Sequence, residues 1–300
     1  MEINNKSDFI TSEQTATLEN FKQLIRNSVT EIFSLDNNTQ NVSVEAFLEN
    51  TDHGALHAFH VYKKAMEIAD TVELETKEQV NRGMLYFMAI THDSGRFHIS
   101  ENEKKQIRCE RSHNKCGMGQ IQKAIRNLKN LGMVVPPKQE ADLMDYVYNH
   151  DFFNTRLDGD TYQEPKSLEG QITRLADRMS TDISTEARRY WETGKRLKTP
   201  YFKEDISFED RVNFSFPKIR NYIKSGNFDE FTFFLTLLSM SGDDFAHPVM
   251  KEIYNEWAKD KHDAIVTILE IAREEEFSEG DIQEMENLIH RYILHFNLTW

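Results

Sequence analysis

The chain has 300 residues, enough for one large domain or two small ones with a substantial core. Its formal net charge of −14 would repel a phosphate backbone, which argues against general nucleic-acid binding but leaves room for a small phosphate ester in a local basic pocket. No apolar run reaches the roughly 20 residues that span a bilayer, and two cysteines do not make a disulfide framework. We therefore expect a cytoplasmic protein without a membrane segment, with secretion lacking a cleavable signal as the open alternative.

Helical periodicity dominates the chain, which contains only 12 Gly and 6 Pro. An amphipathic helix is predicted to begin near Ser12. Further helices are predicted at about 54–72, 77–91, 112–131, 138–150, 167–191, 208–225, 228–240, 246–258, 260–275 and 278–296. No convincing alternating strand pattern is found, and residues 151–166 are predicted to form a loop. The predicted fold class is therefore all-α.

The composition marks no sharp domain boundary, but the helical pattern lapses near 192–206. We predict an N-terminal helical segment over 1–50, a central core over 51–191, and a helical C-terminal extension over 192–300 that packs on the core. The C-terminal extension carries no recognisable motif, and we expect it to determine specificity.

Three histidines begin the first central helix, in the stretch "HGALHAFHV". His57 is followed at helical spacing by apolar residues, so its side chain is predicted to face the core. His60 is in line with Lys64 and Glu67, so it is predicted to face solvent. His53 lies one turn before His57 and is predicted to line the mouth of a cavity.

Other side chains that can bind metal also lie at the ends of apolar stripes. His92 and Asp93 follow the apolar run "MLYFMAI", His113 heads a stripe, and His150 closes one. Asp177 borders an apolar face, where an ionised carboxylate is costly unless a cation or hydrogen bonds compensate it. Together with His57 these residues are hard to explain without a metal, and a hydrogen-bonded polar core is the alternative.

The order of these residues resembles the HD superfamily of metal-dependent phosphohydrolases over about residues 50–182. The motifs that carry the resemblance are "HGALHAFHV", "HDSGR", "RSHNKCG", "YNHD" and "LADR". The resemblance implies an HD-like helical bundle whose core ligands are His57, His92, Asp93 and Asp177, with the extra histidines of two-metal members at His113 and His150. The segment "HDSGRF" lacks the acidic pair of the stringent-response hydrolases, and the "GYP" signature of the cyclic-dinucleotide branch is absent.

The ligand types also indicate the metal and the reaction. Imidazole and carboxylate together suit Mn, Fe, Zn, Ni or Co, as one or two divalent ions. Asp93 could bridge two ions, which would lower the pKa of a shared water, supply hydroxide at neutral pH and clamp phosphoryl oxygens. The resemblance thus implies a phosphohydrolase or phosphodiesterase whose substrate is a small, nucleotide-like phosphate ester.

Basic residues near the predicted ligands are candidates for binding the phosphate. Arg96 lies four residues after His92, and Arg178 adjoins Asp177, so these arginines are predicted to act in catalysis together with Asp93. The predicted substrate-binding set is His53, Arg96, Arg178, Arg188, Lys195 and Lys198. For the residues from the basic stretch "EARRYWETGKRLKTP", a solvated helix face is the equal alternative.

Two other functions remain open at this point. Some HD-fold enzymes use the same six-ligand set to hold two irons that activate dioxygen, and the ligand residues alone do not separate that chemistry from hydrolysis. A non-catalytic regulatory protein is the other alternative, in which the helical C-terminal half would meet a protein partner of unknown identity.

Overall fold

The computed structural model describes residues 17–23, 54–93, 95, 113–130, 135–150, 164–196, 242 and 245–295. These residues are predominantly helical and contain no strand, which confirms the all-α fold class. Within the same ranges, no helix has the length and apolar character needed to cross a membrane. The helices predicted at 208–225 and 228–240 lie outside the described residues, and of the helix predicted from Ser12 only 18–23 is described as helical.

Two compact units make up the chain, Met1–Ser180 and Thr181–Trp300. The described helices of the first unit are α1 (Ala55–Thr76), α2 (Arg82–Thr91), α3 (His113–Asn130), α4 (Pro137–Asn149) and α5 (Leu168–Arg178). Helix α2 contacts α1, α4 and α5, while α3 packs on α4 and α1 packs on α5. Every residue of α2 from Met84 to Thr91 is buried. The end of this central helix therefore lies inside the bundle.

The junction between α1 and α2 differs from the prediction, which started the second helix at residue 77. Lys77 adopts a left-handed backbone conformation with φ of 65° and ends α1. The Asn81 side chain then accepts a hydrogen bond from the backbone N–H of Met84, at 3.2 Å, and so caps the start of α2. The connector between Lys77 and Asn81 leaves α2 with ten residues, Arg82–Thr91, of which all from Met84 onward are buried.

The single helix predicted at 167–191 is wrong, because the structure has two helices there. Helix α5 ends at Arg178, and α6 (Ile183–Arg196) begins after a short break. The Asp182 carboxylate caps α6 by accepting hydrogen bonds from the backbone N–H and hydroxyl of Thr185, at 2.9 and 2.7 Å. Along the chain, the division between the two compact units falls within this break, whereas the assignment to 1–50, 51–191 and 192–300 remains a prediction.

A short helical segment before the bundle packs on α1 and α2 through aromatic rings. Phe21 is fully buried, and its ring lies 5.4 Å from Phe59, 5.9 Å from Tyr62 and 5.7 Å from Tyr86, measured between centroids. Offset and edge-to-face pairs of this kind add to the free energy gained from burial alone. Part of the N-terminal segment therefore belongs to the folded first unit.

The second unit contains α6 and three further described α-helices. These are α7 (Pro248–Trp257), α8 (Lys261–Glu274) and α9 (Glu279–His295), with a 3₁₀ turn at Ala258–Asp260. Helix α8 packs against α6 and α9. The buried Trp191 of α6 donates its indole N–H to Glu275 at 3.2 Å. The indole N–H of Trp257 bonds to the backbone carbonyl of Thr181 at 3.1 Å.

Candidate metal centre

The ends of the five helices of the first unit bring six polar side chains together. One comes from the first turn of α1, two from the end of α2, one from the start of α3, one from the end of α4 and one from the last turn of α5. Each is at most 5% exposed to solvent. The residues are His57, His92, Asp93, His113, His150 and Asp177.

The first group of side chains lies between α1, α2 and α5. His57 Nε2 is 3.0 Å from Asp177 Oδ1 and 3.2 Å from His92 Nε2. His92 Nε2 is in turn 3.3 Å from Asp93 Oδ2. His57, His92 and Asp93 offer ligand atoms close enough to hold one metal ion, and Asp177 adds a carboxylate oxygen beside them.

The second group lies on the other side of Asp93. His113 Nε2 is 3.2 Å from Asp93 Oδ1 and 2.9 Å from His150 Nε2. Asp93, His113 and His150 also offer ligand atoms close enough to hold a metal ion. The two oxygens of the Asp93 carboxylate therefore face different groups of imidazoles, which is the arrangement expected of a carboxylate that bridges two ions.

Backbone carbonyls fix the orientation of two of the imidazole rings. His92 ends α2, and its Nδ1 lies 2.8 Å from the carbonyl oxygen of Ala89. His150 ends α4 in the same way, with Nδ1 2.8 Å from the carbonyl oxygen of Val147. A carbonyl can only accept, so Nδ1 carries the proton in both rings and the neutral ring presents a lone pair on Nε2. Such an outer hydrogen bond is typical of a histidine that binds metal.

The distances between these lone pairs fit coordination to a common cation. Two nitrogens bound about 2.1 Å from one ion, at angles of about 90–109°, lie about 3.0–3.4 Å apart. The Nε2–Nε2 separations of 3.2 Å for His57 and His92 and 2.9 Å for His113 and His150 are close to this range. The spacing of these nitrogens therefore fits a divalent transition metal.

The electrostatics of the centre also favour a cation. Burial raises the pKa of Asp177, but the hydrogen bond from His57 and the charge of Arg178 outweigh it and hold that pKa well below its ordinary value. Burial lowers the pKa of His92, whereas the charge and hydrogen bond of Asp93 raise it, and the net shift is upward. The Asp177 carboxylate thus stays ionised and attracts positive charge, and Arg178 offsets only part of its negative charge.

The other predicted site residues have different positions. Arg178 is buried, with Nη1 3.8 Å from Asp177 Oδ2, so it lies beside the first group. Arg188 is in the second unit, where its exposed side chain lies 3.7 Å from Glu274. Lys195 lies in α6, with its side chain outside the described residues. His53, Arg96 and Lys198 lie outside the described residues.

Two residues near the centre were missed by sequence reasoning. Tyr146 is fully buried one turn before His150, with ring centroids 5.7 Å apart, but in the sequence it looks like any core aromatic. Gly95 lies directly against the start of α3, since a Cβ atom built on it would be 2.0 Å from the carbonyl oxygen of His113. A glycine shortly after the His-Asp pair was the one visible signal of that close approach.

A helical bundle that holds buried histidines and aspartates at its helix ends defines a candidate metal-binding domain. Residues 54–182 match the family model described as HD domain. The resemblance inferred from the motifs is thereby confirmed. HD-domain proteins bind divalent metals and are usually metal-dependent hydrolases. Comparisons with curated proteins and with solved structures give no match.

The positions of His57 and His60 lead to a direct prediction about metal binding. His57 is buried among the candidate ligands, whereas His60 is only partly buried on the neighbouring face of α1. We expect His57→Ala to lose at least half of the bound metal and His60→Ala to retain the parent content, measured by elemental analysis of protein purified without chelator. Equal losses in the two variants would show that the face assignment is wrong.

Proposed function

We propose that the chain is a metal-dependent phosphohydrolase or phosphodiesterase that acts on a small phosphate ester. One observation carries this proposal most directly: the two oxygens of Asp93 face separate groups of buried imidazoles, at 3.3 and 3.2 Å. Such a carboxylate suits a pair of ions held a few Å apart, which is the arrangement that several phosphoester hydrolases use. The match to the HD domain supports the same reaction class.

The six residues of the centre would serve as metal ligands. His57, His92, Asp93 and Asp177 would hold one ion, and His113 and His150 together with Asp93 would hold the second. Divalent ions bound there supply a water of lowered pKa and Lewis acidity toward the phosphoryl oxygens. The carbonyls of Ala89 and Val147 keep His92 and His150 in the tautomer whose Nε2 can coordinate.

Arg178 is the described basic residue best placed to bind the phosphoryl group. Its guanidinium is buried beside Asp177, where a charge-assisted hydrogen bond to phosphate is strong. Arg96 and His53 remain predicted substrate-binding residues from sequence alone. The ion pair between Arg188 and Glu274 on an exposed surface favours a solvated helix face for Arg188, so that residue is the weaker candidate.

The proposal is tested by metal analysis followed by a phosphoester screen. The full chain is purified without chelator, its metal content is measured, and it is then assayed on generic phosphomonoesters and phosphodiesters with added Mn, Fe, Zn, Ni or Co. We expect one or two ions per chain and hydrolysis that chelator abolishes and metal restores. Hydrolysis in the absence of oxygen would exclude the di-iron oxygenase alternative. Absence of turnover on all phosphoesters by fully metal-loaded protein would overturn the proposal.

A further inference from the structure

The hydroxyl of Tyr146 is a polar group buried near the centre without a hydrogen-bond partner among the described residues. The side chain is fully buried, so solvent does not supply the missing partner. Leaving a buried donor unsatisfied costs free energy, and native folds keep few such groups. The Tyr146 hydroxyl is therefore a candidate hydrogen-bond donor to a ligand that the protein binds.

The position of Tyr146 indicates which ligand it could meet. Its ring lies 5.7 Å from the ring of His150, and its phenol is close enough to Asp177 and Asp93 for both carboxylates to act on it electrostatically. The charge of Arg178 reaches the same hydroxyl. The hydroxyl thus lies near the ligands of the centre and near the arginine that we assign to the phosphate.

The base of the side chain is held firmly. A Cβ atom built on Gly170 of α5 would lie 3.5 Å from Tyr146 Cβ, so α5 packs closely against this part of α4. Tyr146 also belongs to the apolar cluster formed with Leu143 and Val147. A phenol on such a rigid base keeps its hydroxyl in one place and loses little conformational entropy when it binds a ligand.

We propose that the Tyr146 hydroxyl donates a hydrogen bond to an oxygen of the phosphoryl group bound at the metal centre. A neutral phenol suits this role, because it is a hydrogen-bond donor at neutral pH and adds no charge beside Asp177. Arg178 would bind the same group from a different helix. The inference rests on the proposed function for the phosphate ligand, but it concerns binding and does not require turnover.

The test is the variant Tyr146→Phe in the metal-loaded full chain, with inorganic phosphate as the probe in calorimetry. Removing an unsatisfied hydroxyl should leave the metal content unchanged and the melting temperature without phosphate unchanged or higher. Phosphate should bind about 10- to 100-fold more weakly, as expected when a hydrogen bond to a charged group is lost. A purely structural hydroxyl would instead lower the melting temperature and leave phosphate binding unaltered.

Tyr86→Phe is the matched control, since Tyr86 is a buried tyrosine of the same unit that packs against Phe21 and Tyr62. We expect its phosphate affinity to equal that of the parent. The inference is overturned if Tyr146→Phe binds phosphate as tightly as the parent, or if the metal-loaded parent does not bind phosphate. If the parent binds phosphate but hydrolyses no phosphoester, the proposed function fails while this inference stands.

Discussion

Replacing Asp93 with asparagine is expected to abolish phosphoester hydrolysis and to remove most of the bound metal. The carboxylate faces His92 with Oδ2 and His113 with Oδ1. An asparagine keeps the shape but has one oxygen and one NH₂ group, so it serves at most one side and brings no negative charge. Loss of one electrostatic contact of this kind typically costs about 10²–10³ in rate, and Asp93 makes two. The measurement is the rate on a generic phosphodiester beside metal content.

Thermal melting adds a second readout for the same variant. Metal that binds only the folded state stabilises it by RT ln(1 + [L]/Kd), about 2.7 kcal/mol when the free metal is at 100 times Kd. We expect added Mn to raise the melting temperature of the parent and of Asp70→Asn, a control that makes the same chemical change on the exposed face of α1. A parental shift and full activity in Asp93→Asn would remove the central argument for a metallohydrolase.

Replacing Gly95 with alanine is expected to disable the second group of ligands while the protein still folds. The added methyl carbon would lie 2.0 Å from the carbonyl oxygen of His113 and 2.7 Å from the backbone nitrogen of Gly117. Backbone atoms cannot rotate away, so the backbone at Gly95 or the first turn of α3 must move. Overpacking of this kind costs about 1–3 kcal/mol of stability, and a displacement of about 1 Å can cost about 100-fold in rate.

Metal stoichiometry identifies which half of the centre responds to Gly95→Ala. The shift should separate His113 from Asp93, so we expect one ion fewer per chain with the first group retained. Gly119→Ala is the matched control on the same helix, because a Cβ atom there meets no atom within 4 Å. That variant should match the parent in metal content and activity. Equal metal content in Gly95→Ala and Gly119→Ala would show that the close approach does not position His113.

Much of the centre could be predicted from helical phase. The apolar stripe that follows His57 faces the core. His113 and His150 lie in line with apolar stripes on their own helices, so their side chains also point inward. These side chains do lie together, because each is at an end of a helix in the same bundle. The single-sequence pattern therefore suffices to find side chains that point inward, although it does not measure the distance between them.

The remainder depends on how the helices approach one another. Nothing in the sequence shows that the two oxygens of Asp93 face different imidazole groups, since this follows from the distances that folding sets between Asp93, His92 and His113. The hydroxyl of Tyr146 was missed for a related reason: an aromatic residue on an apolar stripe looks the same with or without a polar ligand nearby. The break before Asp182 was missed because the apolar periodicity continues across it, and only the hydrogen bonds to Thr185 reveal the cap.

His92 and His150 each end a helix and each donate Nδ1–H to a carbonyl of the preceding turn. The end of each helix thus also orients the imidazole ring, so the two Nε2 atoms are already in place when the polypeptide has folded. One cation could then replace another in the folded protein, without any refolding of the polypeptide. Under those conditions the resident ion is selected by intrinsic affinity order and by cellular supply. The same polypeptide could accordingly hold different metals in cells that differ in their free metal concentrations.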